Sequence, residues 1–173
     1  ILGLVGSEMC IRDSNRKVYI SGEIVPEVDA KISIFDSAVL LGDTVTESTR
    51  TFNFKPFKLD EHLERLYKSF KLTRIDPQMT IEEMKKVSLE LLEINKDNYK
   101  ANEDCWLVHN ISRGHSITGG NPALQVSKPT VMIYTQPMNL VSWAPFYRKG
   151  CHAVTPPTRM VPSQSLDARI KNS

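Results

Sequence analysis

Most side-chain constellations in this sequence lack a partner that their chemistry would need. Gly114 to Gly120 has the loose glycine spacing of a phosphate-binding loop, but Asn121 and Pro122 follow where a Lys-Ser/Thr pair would grip phosphate. The four histidines show neither the HExxH pattern nor the cysteine pairs of a metal site, and no GxSxG turn presents a nucleophilic serine. The sequence therefore predicts no metal site, nucleotide loop or serine hydrolase.

Two basic side chains are ambiguous when judged by their positions alone. Lys171 stands alone near the end of the chain, and Arg65 falls nearly opposite the apolar stripe of its predicted helix. Taken alone, these positions favour a solvated surface arginine and an uninformative lysine.

Composition and charge are those of an ordinary globular protein. The 173 residues are 40% hydrophobic and 24% charged, with a net charge of +2. This length allows one domain, or one domain and part of a second, and the small charge indicates no nucleic-acid partner. The three cysteines lack metal-ligand spacing, and no apolar run approaches the length of a membrane helix. We expect a cytoplasmic protein with no nucleic-acid or membrane partner.

The first residues differ in character from the rest of the chain. Residues 5–14 (VGSEMCIRDS) look like the translation of a transposase-type sequencing adaptor. We therefore expect residues 1–14 to be a non-native scar of sequence assembly, with no fold or function of their own.

Strands are the first elements that the sequence predicts after residue 14. The Ser21-Gly22 pair is a turn signal and predicts a tight hairpin. Alternating apolar residues and β-branched runs predict strands at 18–20, 23–25, 31–35, 44–54, 57–59, 105–112 and 129–134.

Two amphipathic helices are predicted between these strands. Asp60 is the expected N-cap of a helix at 61–74, and Thr80 with Glu83 forms a capping box that opens a second helix ending near Lys96. The apolar stripes are Leu63, Leu66, Tyr67 and Phe70 on the first helix, and Met84, Val87, Leu91 and Ile94 on the second. The sum is an α+β domain over residues 15–136, followed by a connector over 137–150 that includes a short helix.

Three segments carry a resemblance to a known family. They are VYISGEIVPEVDAKISIFDSAVLLGD, FKLDEHLERLYKS and TPPTRMVPSQSLDARIKNS. Together they resemble the class IV, or fold-type IV, pyridoxal-phosphate-dependent aminotransferases, among them the branched-chain enzymes. The third segment is the most specific, because an extended Pro-rich stretch running into Ile-Lys-Asn is where this family carries its cofactor lysine.

The resemblance implies roles for both basic residues. Lys171 would be the catalytic lysine that binds pyridoxal 5'-phosphate covalently and then moves the substrate proton, and Arg65 would bind the cofactor phosphate. Residues 151–173 would begin the larger cofactor-binding domain, and the enzyme would be a homodimer. Because the carboxylate that pairs with the cofactor ring nitrogen comes later in such chains, we expect a truncated and inactive fragment. Val161 and Ile170 should then be unusually exposed.

The substrate pocket departs from the family pattern. Leu41 and Thr46 stand where members often carry two aromatic residues, and Arg50 lies two alternations beyond Thr46 on the same strand face. A wider, less apolar pocket is expected. The Arg and His that bind the carboxylate in D-amino-acid transaminases have no clear counterpart after Gly114, which disfavours D-amino acids.

Three functions remain open from the sequence. The first is a transaminase that moves an amino group between a small amino acid, or an amine, and a 2-oxo acid. The second is a lyase of the aminodeoxychorismate lyase type, which uses the same lysine for elimination. The third is a non-catalytic α+β interaction domain in which Lys171 has no role.

Overall fold

The computed structural model describes residues 15–100, 103–115, 128–159, 161–162, 165, 167 and 169–171. Residues 1–14, interpreted above as an assembly scar, lie outside the described residues, as does most of the loop after Gly114. Within the described part, no helix is long and apolar enough to cross a membrane.

One antiparallel sheet forms the centre of the fold. Its strands are β1 Lys17–Ile20, β2 Glu23–Pro26, β3 Thr44–Phe52, β4 Lys55–Pro56, β5 Cys105–Ser112 and β6 Thr130–Pro137. They lie in the order β2-β1-β6-β5-β3-β4. The long strand β5 pairs with β3 on one side and β6 on the other. Strand β4 pairs with β3 only at Thr51 and Phe52, and farther along the same strand Thr46 N donates to Lys171 O.

Two long helices cover one face of this sheet. The α-helices are α1 Ser37–Leu41, α2 Leu59–Thr73, α3 Ile81–Asn95 and α4 Leu140–Lys149. Helices α2 and α3 pack against each other, α2 contacts β3, and α3 contacts β1 and β6. Each large apolar side chain buried between the layers stabilises the fold by about 1.5–3 kcal/mol. Side chains buried there include Val45, Leu63, Leu66, Phe70, Met84, Leu91, Leu107, Ile111 and Ile133. The α+β prediction is confirmed.

Local signals located two features correctly. Ser21 and Gly22 form the β1–β2 turn with φ of 46° and 112°, the left-handed values that two-residue hairpins need. Thr80 and Glu83 form the predicted reciprocal capping box of α3.

Helix α2 begins earlier than predicted. Asp60 was expected as the N-cap, but Leu59 is already helical and Lys58 is the cap, with left-handed φ and ψ of 53° and 44° and no side-chain cap. Asp60 instead lies in the first turn, where its negative charge favours the helix dipole.

The predicted strand at 31–35 is wrong. That segment is irregular, and Ile34 and Phe35 are 69% and 55% exposed, so the alternation there is not a burial pattern. The following Asp36 is buried, accepts from Ala38 N, and is bound by the hydroxyls of Ser112 and Thr130. This carboxylate starts α1, so the chain turns instead of extending a sheet.

The buried face of α3 is more polar than its sequence stripe suggested. Ile94 was predicted on that face but is 42% exposed, while Ser88 and Asn95 are fully buried. The Asn95 amide donates to Lys17 O at 2.9 Å and accepts from Lys17 N at 2.7 Å, which ties α3 to β1. Burying a polar side chain is favourable here because both of its hydrogen-bonding groups are satisfied.

The segment after β6 differs from the domain before it. No residue of α4 is buried, and Val154 and Val161 are 85% and 58% exposed. The expected exposure of Val161 is confirmed. Ile170 is partly exposed and packs partly against the core, so it is neither strongly exposed nor deeply buried.

Candidate active site

A buried carboxylate on β3 organises the charged side chains of interest. Along β3, side chains alternate between the helix-covered face and the opposite face, and Glu47 shares the covered face with Val45 and Thr49. All three side chains are fully buried. A buried carboxylate is costly unless it is paired, so its partners define the site.

Helix α2 supplies two of these partners. Arg65 donates from Nε to Glu47 Oε2 and from Nη2 to Oε1, both at 2.6 Å. His62 lies one turn before Arg65 on the same helix side, and its Nδ1 is 3.0 Å from Oε1. The arginine fork thus binds Glu47 side-on, in the bidentate geometry that makes such pairs strong.

Lys171 completes the cluster from the far end of the chain. Its carbonyl oxygen accepts from Thr46 N at 2.8 Å, at the open edge of β3. Its Nζ donates to Glu47 Oε1 at 3.1 Å. Lys171 and Arg65 are therefore brought together on one carboxylate.

These contacts shift the pKa values of Glu47 and Arg65. Burial would raise the pKa of Glu47, but hydrogen bonds from Arg65, Ser48 N, His62 and Lys171 outweigh it and lower the pKa to about 2. The hydrogen bond to Glu47 raises the pKa of Arg65 above its ordinary value. At neutral pH the pair is an ionised carboxylate and a guanidinium.

A second buried polar group lies beside Glu47. His109 on β5 is directly opposite Glu47 in the strand register and is fully buried. Ser88 Oγ donates to Met84 O, so the network assigns its 2.8 Å contact with His109 to the Nε2–H of the imidazole. Among the described residues, His109 Nδ1 has no hydrogen-bond partner. Burial lowers the pKa of His109 to about 4, so it is neutral at physiological pH.

The three predicted pocket residues lie in different places. Thr46 adjoins Lys171, and its hydroxyl donates to His109 O at 3.1 Å. Arg50 lies on the same strand face as Thr46, at the other end of β3. Among the described residues, its side chain contacts Thr51 O and the ring of Phe52. Leu41 is the last residue of α1 and is 73% exposed. The structure thus places Thr46 beside the predicted lysine, and no contact among the described residues joins Arg50 or Leu41 to it.

Sequence reasoning missed Glu47, His62 and His109 as members of the cluster. Two signals were available. The period-two alternation of β3 puts Glu47 on the same face as buried Val45, and the spacing of His62 and Arg65 puts both on one side of α2. The described residues hold no group of His, Cys, Asp and Glu side chains that could bind a metal ion.

Comparison with known proteins decides the family. The sequence model of the family "Amino-transferase class IV" matches residues 44–173, which include Glu47, Arg65 and Lys171. The chain belongs to the class IV aminotransferases. The resemblance inferred from the three sequence segments is therefore confirmed.

Two relatives and one solved structure illustrate where this class IV chain stands. A Methanocaldococcus jannaschii protein, provisionally named a branched-chain-amino-acid aminotransferase, is 35% identical over 90% of this chain and 51% of its own. A D-alanine aminotransferase of Staphylococcus epidermidis is 32% identical over 69% of this chain and 41% of its own. The chain spans about half the length, or less, of these relatives.

The solved structure shows the same fold. It is a branched-chain aminotransferase from the thermophilic archaeon Thermoproteus uzoniensis, solved with norvaline. The two chains superpose with a TM-score of 0.72 and 22% identity, over 91% of this chain and 51% of that one. The α+β fold described above is therefore that of the corresponding part of a class IV aminotransferase.

Proposed function

We propose that this chain is part of a pyridoxal-phosphate-dependent transaminase that moves an amino group between a small amino acid, or an amine, and a 2-oxo acid. The observation that supports this most is the meeting of Lys171 and Arg65 on Glu47, since a covalent amine and a phosphate-binding fork are the two anchors such a cofactor needs. Membership of class IV supports the same cofactor.

The donor set fits the cofactor. A guanidinium has five N–H donors, and Glu47 uses only the Nε–H and one Nη2–H of Arg65. Within the described residues, no contact engages Nη1, and half of the Arg65 side chain is exposed. The Nη1 edge is therefore available to a phosphate, while Glu47 fixes the plane of the fork.

Each residue then has a distinct task. When bound, pyridoxal phosphate supplies an aldehyde that takes up the amino group and a ring that withdraws electrons from the substrate α-carbon. Lys171 Nζ would hold the cofactor and, once released, would move a proton from the substrate α-carbon to the aldehyde-derived carbon of the cofactor. Thr46 N keeps the backbone of Lys171 against β3, and Glu47 holds Arg65 in place.

The named relatives indicate which substrates to test first. Two relatives named above carry branched-chain and D-alanine aminotransferase names, and both substrates belong in a test panel. The residues after His115 that would distinguish D-amino acids lie outside the described residues. We therefore propose the transamination class and leave side-chain preference to measurement.

The test uses protein expressed from the complete coding sequence. We expect a visible absorbance band on addition of pyridoxal phosphate, and transfer from branched-chain amino acids or D-alanine that depends on a 2-oxo acid acceptor. Lys171→Ala should lower the rate about 10²–10⁴-fold, because it removes the proton-transfer group. Arg65→Ala should weaken cofactor affinity about 10- to 100-fold, the effect of losing a charged hydrogen bond.

Matched controls separate these effects from general damage. Lys149→Ala removes an exposed lysine at the end of α4, and Lys68→Ala removes an exposed cation from the same helix as Arg65. Both should behave as wild type. Pyruvate release without an acceptor would instead indicate a lyase. Absence of the absorbance band, with no effect of Lys171→Ala, would indicate the non-catalytic interaction domain.

A further inference from the structure

The two carboxylate oxygens of Glu47 have different numbers of hydrogen-bond partners. Among the described residues, Oε2 accepts only from Arg65 Nε. Oε1 lies within hydrogen-bond distance of four groups: Ser48 N at 2.9 Å, His62 Nδ1 at 3.0 Å, Arg65 Nη2 at 2.6 Å and Lys171 Nζ at 3.1 Å. One carboxylate oxygen thus lies close to the guanidinium of Arg65 and the ammonium of Lys171, in addition to the imidazole of His62. With so many groups around one oxygen, we expect at least one of them to leave Glu47 when the cofactor binds.

Arg65 and Lys171 are held with different strength. Arg65 makes two hydrogen bonds of 2.6 Å in a bidentate fork, while Lys171 makes one of 3.1 Å from a side chain that is 38% exposed. The Arg65 side chain is the more exposed of the two, at 51%, so the number and length of the hydrogen bonds decide the comparison. One bond at 3.1 Å is weaker than a bidentate fork at 2.6 Å, so Lys171 is the cation that can leave Glu47 at lower cost.

The cluster carries an excess of positive charge. Glu47 contributes one negative charge, against one positive charge each on Arg65 and Lys171. A phosphate bound at Arg65 would balance the second positive charge of the cluster. Lys171 could then leave Glu47 without leaving the cluster with an excess of one charge. The chemistry of the site thus couples binding of an anion at Arg65 to release of Lys171.

On the basis of the proposed function, we propose that Glu47 is the counterion of Lys171 before the cofactor is attached, and that attachment requires Lys171 to leave this carboxylate while Arg65 remains on it. Glu47 would then slow the covalent attachment of the cofactor to Lys171 and increase the affinity of Arg65 for the cofactor phosphate. Glu47 would therefore have two opposite effects: it would hinder the reaction of Lys171 and support phosphate binding by Arg65.

The covalent step shows why the ion pair has to break. As an ammonium, Nζ first gives one proton to solvent, and its lone pair then forms a bond to the aldehyde carbon. The two remaining N–H protons leave with the aldehyde oxygen as water when the C=N bond is complete. In the ion pair, Nζ is an ammonium without a free lone pair, and one of its N–H groups donates to Glu47 Oε1. Lys171 can react only after this contact is lost.

The experiment measures attachment of the cofactor and not turnover. Protein from the complete coding sequence is stripped of cofactor and mixed with saturating pyridoxal phosphate at neutral pH. The rate is followed by the visible band, and the product is trapped with borohydride and located on the Lys171 peptide by mass spectrometry. We expect Glu47→Gln to speed attachment about two- to fivefold, because Lys171 no longer has to break a partly exposed ion pair before it reacts.

The same variant should have the opposite effect on affinity. Because Arg65 loses its charged partner, the cofactor concentration for half-maximal rate should rise about tenfold in Glu47→Gln. Glu47→Asp keeps the charge and should give a rate nearer to wild type. Glu64→Gln removes an exposed acid beside Arg65 on α2, where it pairs only weakly with Lys68, and should change neither quantity.

An attachment rate in Glu47→Gln that equals or falls below wild type, with an unchanged circular dichroism spectrum, would overturn the proposal. If this variant does not fold, salt dependence answers the question in the wild-type protein. Screening weakens a partly exposed ion pair, so attachment at saturating cofactor should accelerate with ionic strength. A rate independent of salt would also overturn the proposal. A wild-type protein that never gains the band would instead contradict the proposed function.

Discussion

The sheet with its two covering helices and the segment from α4 onward contain similar apolar side chains but bury them very differently. Leu63 and Leu66 on α2 are 0% and 1% exposed, whereas Val141 and Tyr147 on α4 are 84% and 83% exposed. Both helices carry a hydrophobic side. The difference is that α2 faces a sheet, whereas no described element covers α4. Hydrophobic sequence places a residue in a core only when the fold supplies an opposing surface.

The largest expected contrast is between a core leucine and an exposed valine. Leu66→Ala should lower the free energy of unfolding by about 2–5 kcal/mol, because it leaves a cavity between α2 and the sheet. Val154→Ala, at a position 85% exposed, should stay within about 0.5 kcal/mol of wild type. Urea denaturation of both variants measures the contrast. Similar losses would show that the segment is covered in solution.

A second contrast between the two regions concerns a buried histidine and an exposed one. The folded-state pKa of His109 is lowered to about 4, so the unfolded chain binds more protons below its ordinary pKa. Stability should therefore fall as the pH drops from about 6.5 to 4, by about 2–3 kcal/mol. Glu47, His62 and Lys171 are the charged or titratable groups that act on His109.

Unfolding curves across this pH range check the effect. His109→Asn should reduce the slope of stability against pH, even though the variant is less stable overall. His152→Asn, which replaces an exposed histidine of the C-terminal segment, is the matched control and should keep the wild-type slope. An unaltered slope in His109→Asn would contradict the burial argument.

A smaller contrast concerns buried and exposed asparagines around the end of α3. Asn95→Ala should cost about 1–3 kcal/mol, because it leaves the peptide groups of Lys17 without their side-chain partners. Asn98→Ala, an exposed position in the next turn, should have an effect of no more than about 0.5 kcal/mol. Thermal unfolding of the pair is sufficient, and equal shifts would argue against the Asn95 contact.

The smallest expected difference lies within the C-terminal segment itself. Ile170 packs partly against the core and precedes Lys171, so Ile170→Ala should cost about 1 kcal/mol. Val161→Ala, 58% exposed, should be close to neutral. Hydrogen exchange at Thr46 N, which donates to Lys171 O, should also accelerate in Ile170→Ala only.

Predictions from sequence succeeded where the signal was local. The Ser21-Gly22 turn and the Thr80 capping box depend on residues within one turn of each other, and both are present. Prediction failed at 31–35, where an alternating pattern had no neighbouring strand, and at Ile94, where buried polar residues shifted the covered face of α3. Register with another element decides such cases, and it is not encoded in the spacing of one segment.

The sequence by itself determined the α+β class, the family resemblance, and the choice of Lys171 and Arg65 as candidates. Only the tertiary structure decided that these residues meet on Glu47, together with His62 and beside His109. The physical reason is that a buried carboxylate takes whichever donors the packed elements bring within about 3 Å, and those donors come from β3, α2 and a segment far along the chain.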